Sequence, residues 1–202
     1  VTQYHFPQLF SPLNCRRMKG QTGFTLTELL VVVAIVAILL GIGVPSYRYI
    51  NNSYRMSAEL NALVGDLMYA RAEAIKEGQP VAICVSADGL TCSGATTWQS
   101  GWIVFPDPAG NGSADVPASV LHVQQAFAGA NPDTFALSNP ISSIIFNREG
   151  FAQGNAGVAF AANQFTLHDK TSNGAWTRCL LISPQGMIQT ETHTVPTFGP
   201  CN

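Results

Sequence analysis

Charged side chains are scarce. Asp, Glu, Lys and Arg make up 11% of the 202 residues, against about 25% in an ordinary soluble domain. Such a chain is neither a disordered, highly charged tail nor a basic protein that coats nucleic acid. A second long apolar run is also missing, which excludes a polytopic membrane protein. No C-x-x-C pair occurs, and His122, His168 and His193 are dispersed with no nucleophile motif beside them. Neither a zinc site nor a hydrolase therefore has support, and no cofactor is implied. No internal repeat is visible.

What the chain does have is apolar side chains, 47% of its residues, and they concentrate in one place. Leu29 to Val44 reads LLVVVAIVAILLGIGV, and extending it back to Phe24 adds only Thr25, Thr27 and Glu28 as polar interruptions. A membrane-spanning helix needs about 20 mainly apolar residues. Arg16, Arg17 and Lys19 precede the run, so the positive-inside rule puts the N-terminus in the cytoplasm and everything after Pro45 outside. A core helix of a globular domain would keep one polar face, and this run has none. A cleaved signal peptide would carry an apolar region of about 7–15 residues followed by a small-x-small site. Gly-Ile-Gly-Val-Pro-Ser-Tyr, after Leu40, offers no such site.

Glu28 is the oddity. A carboxylate within a bilayer costs several kcal/mol unless it is paired, so it either sits at the headgroup level or has a function. Its neighbours decide. Lys19-Gly20-Gln21-Thr22-Gly23-Phe24-Thr25-Leu26-Thr27-Glu28-Leu29-Leu30 resembles the class III signal of type IV pilins and type II secretion pseudopilins. That signal is a basic leader ending in Gly, then Phe, three residues, Glu and a long apolar helix. The resemblance implies that prepilin peptidase cuts after Gly23 and methylates the new amine of Phe24. Glu28 would then pair with the Phe24 ammonium of a neighbouring pilin or pseudopilin subunit during assembly. A charge stranded in lipid would be neutralised by joining the polymer. Met18–Gly23 makes a leader of ordinary length, and residues 1–17 read as a start-site artefact that gives His5 and Cys15 no role.

The helix is expected to continue beyond the apolar run. Met56, Leu60, Leu63, Val64, Leu67, Ala70, Ala74 and Ile75 recur at three- and four-residue spacing. Arg55, Glu59, Asp66, Arg71, Glu73, Lys76 and Glu77 are expected on the other faces, and Gly78 and Pro80 form a stop signal. Leu26 to Gly78 would make about 80 Å of helix, with a kink or a locally melted turn at Gly41, Gly43 and Pro45. After Pro80, short strands are expected near Val81–Ser86, Trp102–Phe105, Val120–Phe127, Ser143–Asn147, Gln164–Asp169, Arg178–Ser183 and Met187–Glu191. The fold class is therefore α+β: a long N-terminal helix packed on an antiparallel β-sheet domain. The expected divisions are a leader over 1–23, a membrane and filament-core helix over 24–45, an amphipathic helix over 46–79 and a periplasmic β domain over 80–202.

The second half is similar to the GspH/FimT domain of the same superfamily. Ile144-Ile145-Phe146-Asn147-Arg148-Glu149-Gly150-Phe151 resembles its strand and Asn-Arg-x-Gly turn. Cys179-Leu180-Leu181-Ile182-Ser183-Pro184-Gln185-Gly186 resembles its closing strand and Ser-Pro-x-Gly turn. With the leader, these motifs point to a minor pilin of the FimT/FimU kind or the minor pseudopilin of type II secretion. Either is a structural subunit of the inner membrane, with a single span and a periplasmic C-terminal domain. Prepilin peptidase and other pilins or pseudopilins would be its partners.

Cys84, Cys92, Cys179 and Cys201 all lie on the side expected to be oxidising. Three pairings are possible. Cys84–Cys92, a short loop, and Cys179–Cys201, which would pin the C-terminal tail, are favoured. Asp107–Asp115 superficially resembles a calcium loop, but Ala109 stands where a ligand is needed and the closing Glu is absent. A solvated hairpin loop is favoured there, and no metal site is assigned. Some FimT-type pilins bind DNA through arginines after the closing turn. Here that place reads Gly186-Met187-Ile188-Gln189-Thr190-Glu191, without arginine. From Pro80 on, three basic residues (Arg148, Lys170 and Arg178) face seven acidic ones, a balance of −4 that argues against nucleic acid as a partner. Trp98, Trp102 and Trp176 are expected in the core or at its edge.

Overall fold

The computed structural model describes residues 23–113, 120–129, 131–154, 160–192 and 201. Residues 1–22, with His5 and Cys15, lie outside the described residues, as do Asp115 and His193. The chain divides into two compact units, 1–45 and 46–202.

Helix α1 runs Leu26–Glu77. It stays helical through Gly41, Gly43 and Pro45, so of the kink or melted turn expected there, the melted turn does not occur. Proline costs the helix one hydrogen bond, and the bonds on either side keep the segment helical. Up to Pro45 every described side chain is exposed. Among the described residues, α1 is the helix long and apolar enough to cross a membrane.

In the second unit α1 turns one face inward: Met56, Leu60, Leu63, Leu67, Ala70 and Ala74 are buried at helical spacing. Asp66 is buried with them, which corrects its expected place on a polar face. Gly78 donates its N–H to Ala74 O at 3.0 Å and ends the helix.

Nine strands follow among the described residues: β1 Val81–Val85, β2 Gly101–Pro106, β3 His122–Gln125, β4 Thr134–Leu137, β5 Ser143–Phe146, β6 Ala152–Gln153, β7 Asn163–His168, β8 Arg178–Ile182 and β9 Ile188–Thr192. They form a five-stranded sheet in the order β3-β2-β1-β5-β6 and a four-stranded sheet in the order β4-β7-β8-β9. All the pairings are antiparallel, with Val85 opposite Trp102, Val81 opposite Phe146 and Ile182 opposite Ile188. Two of the nine were not expected. β4 is one short Thr-Phe-Ala-Leu segment with a single buried side chain, Phe135, and β6 has two residues. Neither offers a run long enough for a period-2 pattern.

The first sheet is apolar on both faces, which explains why VAICV, WIVFP and SIIF barely alternate. Val81, Ile83, Val85, Trp102, Val104, Ile144 and Phe146 join α1 and the second sheet in the main core. Ala82, Cys84, Ile103, Phe105 and Ile145 form a smaller core on the reverse face, covered by Cys92, Val120 and Val123. Edge-on aromatic contacts run from the turn before β2 to the second sheet and within that sheet. Trp98 meets Phe165 at 5.3 Å, and Phe165 meets Phe135 at 6.1 Å between ring centres.

Candidate functional site

Gly23, Phe24 and Thr25 precede the helix, and Phe24 is 79% exposed. Thr25 is the N-cap: its Oγ1 accepts from Glu28 N at 3.2 Å, and its carbonyl accepts from Leu29 N at 3.1 Å. Thr25-Leu26-Thr27-Glu28 is thus a capping-box sequence with the carboxylate in the first turn, where the helix end favours negative charge. Sequence reading missed this role of Thr25, although a T-x-x-E ahead of an apolar run is its signal. Among the described residues Glu28 has no ion-pair partner.

The two family-like turns of the second half come together in space. Asn147–Phe151 links β5 to β6, and Ser183–Met187 links β8 to β9. The turns are built alike. Asn147 N donates to Phe151 O and Gly150 N to Asn147 O, while Asn147 Oδ1 accepts from Phe151 N at 2.9 Å. Ser183 N donates to Met187 O and Gly186 N to Ser183 O, while Ser183 Oγ accepts from Met187 N at 3.2 Å. Both glycines sit at positive φ, +82° at Gly150 and +72° at Gly186. A Cβ on Gly186 would fall 2.2 Å from Gly150 O, and one on Gly150 would fall 2.9 Å from Ile75 Cδ1. Both turns therefore need glycine for conformation and for close approach.

Arg71 of α1 closes the joint. Its Nε donates to Gly150 O at 3.0 Å and its Nη2 to Gln185 O at 3.4 Å. Ala152 N donates to Pro184 O at 2.9 Å, joining the start of β6 to the second turn. Met68, Ile75, Phe151 and Met187 stand exposed around this joint.

At the other end of the unit, Arg55 grips buried Asp133 with two hydrogen bonds, Nε to Oδ2 at 2.8 Å and Nη2 to Oδ1 at 3.1 Å. Glu59 lies beside them, 3.9 Å from Arg55 Nε, with Oε2 buried and unpartnered among the described residues. Burial, followed by the charge of Asp133, pushes its carboxyl up to about 8. Asp66 accepts from Trp102 Nε1 at 2.7 Å, and its other oxygen lies 2.9 Å from Nδ1 of half-exposed His122. The 3.6-residue pattern could not reveal these polar links between the helix and the β structure, because their partners come from remote strands and loops.

Cys84 is bonded to Cys92 and Cys179 to Cys201. Cys92 covers the reverse-face core, and Cys201 is buried. Buried Asp107 spends its carboxylate on its own loop, accepting from Gly112 N at 2.7 Å and Asn111 N at 3.3 Å. Among the described residues, no group of three or more His, Cys, Asp or Glu could hold a metal ion. Trp98 and Trp102 are core residues, and Trp176 is half-buried. His168 is half-buried at the end of β7. The three cations beyond Pro80 are spread out. Arg148 pairs with Glu149 at 2.7 Å, Arg178 donates to Ser53 Oγ and to Thr177 O, and Lys170 is exposed.

A long helix with a capped, acid-bearing N-terminus and a two-sheet domain sealed by paired glycine turns defines a pilin-like subunit. Residues 59–186 match the family described as Type II transport protein GspH, and residues 18–44 match the prokaryotic N-terminal methylation motif. The chain belongs to the GspH family. Two crystal structures of the type IV minor pilin FimU of Pseudomonas aeruginosa share the fold at 22% sequence identity. One has a TM-score of 0.54 and covers 77% of this chain and 99% of FimU. The other has a TM-score of 0.51 and covers 74% and 99%.

Proposed function

We propose that the chain is a minor type IV pilin, a structural subunit that helps initiate or cap a pilus at its tip in twitching motility or adhesion. Prepilin peptidase would cleave between Gly23 and Phe24 and methylate Phe24. The carrying observation is Glu28, a carboxylate with no ion-pair partner among the described residues, at the head of an apolar run whose described side chains are all exposed, in a chain that belongs to the GspH family. Joining a filament gives that charge a partner, the Phe24 ammonium of a neighbour, which lipid cannot offer. In this reading residues 1–23 are leader, 24–45 membrane anchor and filament core, 46–79 amphipathic helix and 80–202 a periplasmic domain. The subunit waits in the inner membrane with a single span. The exposed Met68, Ile75, Phe151 and Met187 supply contacts to other subunits.

The family description favours a second reading, the minor pseudopilin of a type II secretion system. The likeness to FimU supports the pilus. A DNA-uptake role is disfavoured, because the domain is acidic and Arg148 and Arg178 are already engaged.

Co-expression with a prepilin peptidase, followed by mass spectrometry of the N-terminus, tests the processing step. The expected product begins with methyl-Phe24. Gly23→Ala is expected to leave the precursor uncut, and Glu28→Ala to be processed but recovered poorly in sheared pili. Normal cleavage of the first variant or full incorporation of the second would overturn the assigned role. Recovery of the parent chain in a secretion pseudopilus, and not in pili, would move it to the second reading.

A further inference from the structure

The start of strand β4 is tied to α1 by charge. Asp133 is buried and stands one residue before β4, and Arg55 of α1 gives both prongs of its guanidinium to it, at 2.8 and 3.1 Å. Lys170, in the turn after β7, donates its backbone N–H to the same carboxylate at 3.1 Å. β4 lies at the edge of its sheet, with β7 as its neighbour. It has one buried side chain, Phe135, whose N–H reaches Gln99 Oε1 at 3.4 Å. Among the described residues, the Arg55 contact is the polar link from the head of this strand to the helix. All the parts lie within the second unit.

Glu59 unbalances the group. It stands one helical turn after Arg55, with Oε1 3.9 Å from Arg55 Nε, beyond hydrogen-bond distance. Its Oε2 is buried without a partner among the described residues. Asp133 has taken the fork, so two carboxylates share one guanidinium. The neighbouring charges do not relieve this. Asp169 uses its carboxylate within its own turn, accepting from Thr171 N at 3.1 Å and Asn173 N at 2.6 Å. Lys170 lines a cleft of about 280 Å³ with Arg55, Glu59 and Asp133, but it is exposed and water screens it. Arg178 reaches α1 at Ser53, six residues before Glu59. His168, half-buried, stands opposite Thr134 in the β4–β7 register. Burial, followed by the charge of Asp133, keeps Glu59 protonated up to about 8 in this arrangement.

We propose that Arg55, Glu59 and Asp133 form a pH-sensitive clasp, which holds the start of β4 to α1 in acid and eases as the medium turns alkaline. Closed, the clasp keeps a proton on Glu59, because no further cation matches a second full charge beside Asp133. Open, Asp133 moves away and water reaches Glu59, which then gives the proton up as an ordinary carboxyl does. The open form binds one proton fewer, so raising the pH favours it. The window runs from the ordinary value of 4.5 to about 8. Above it Glu59 is ionised in both forms and the balance no longer changes.

Hydrogen exchange of the full chain in detergent, followed by mass spectrometry, reads the clasp. Each rate is divided by the intrinsic rate at that pH, which leaves the protection. From about pH 5 to about pH 8, protection of residues 133–137 and 168–170 is expected to fall at least about tenfold, and that of β1 to change less. Glu59→Gln keeps the shape and cannot ionise, so it is expected to hold the acid level of protection at about pH 8. Asp133→Asn is expected to lower the protection of the same residues already at about pH 5, because the fork loses its charged partner. Flat protection in the parent overturns the proposal, as does unchanged protection in Asp133→Asn. An equal fall in β1 also overturns it, since the effect would then be global unfolding. So does a fall that persists in Glu59→Gln, which would assign the titration to His168.

Discussion

A methyl group is enough to test the joint between the two glycine turns. Gly186→Ala would need positive φ at a residue with a side chain and would press Cβ to 2.2 Å from Gly150 O. The expected loss is about 2–4 kcal/mol, measured by urea unfolding of the full chain in detergent. Gly65 is the contrast: it is helical and exposed, and an added Cβ meets nothing within 4 Å. Gly65→Ala is expected to stabilise by up to about 1 kcal/mol in the same assay. The sequence exposes Gly23, Phe24 and Glu28 because their motif is contiguous. It makes Gly150 and Gly186 recognisable by resemblance but hides their reason. Arg71, which joins them, has no local signal: its partners lie 79 and 114 residues away.

Helix α1 and most strands could be read from periodicity, because burial on one face leaves a repeating mark. What fails is the polar side of that rule. Asp66 sits where the pattern permits a charge, yet it faces inward because Trp102 brings an indole N–H to it. Removing that carboxylate strands a buried donor. Asp66→Ala is therefore expected to cost about 1–3 kcal/mol in urea unfolding, with Asp66→Asn recovering part of the loss. β4 and β6 were missed for a different reason: they are held by their neighbours in the sheets, β7 and β5, and carry little pattern of their own.

Across the molecule, charge is sparse but unevenly placed, and one half-buried group links stability to pH. Glu59 has a folded-state value of about 8, raised from its ordinary 4.5. The folded chain therefore keeps a proton that the unfolded chain gives up. Stability is fully present below about 4.5 and falls as pH rises towards about 8. Glu59→Gln is expected to flatten this dependence and to unfold at higher temperature than the parent at about pH 8, as read by thermal scans across that range.

Arg71 bears on time as well as on packing. Its second turn arrives only with Gln185, 114 residues further along the chain. Contacts across such distances form late, because the intervening loop must close first. A chain still being made, or cut short before β8, leaves the Arg71 guanidinium without that carbonyl. Closing the β8–β9 hairpin then completes the seam, and a chain that lacks it loses the contact that ties its second turn to α1.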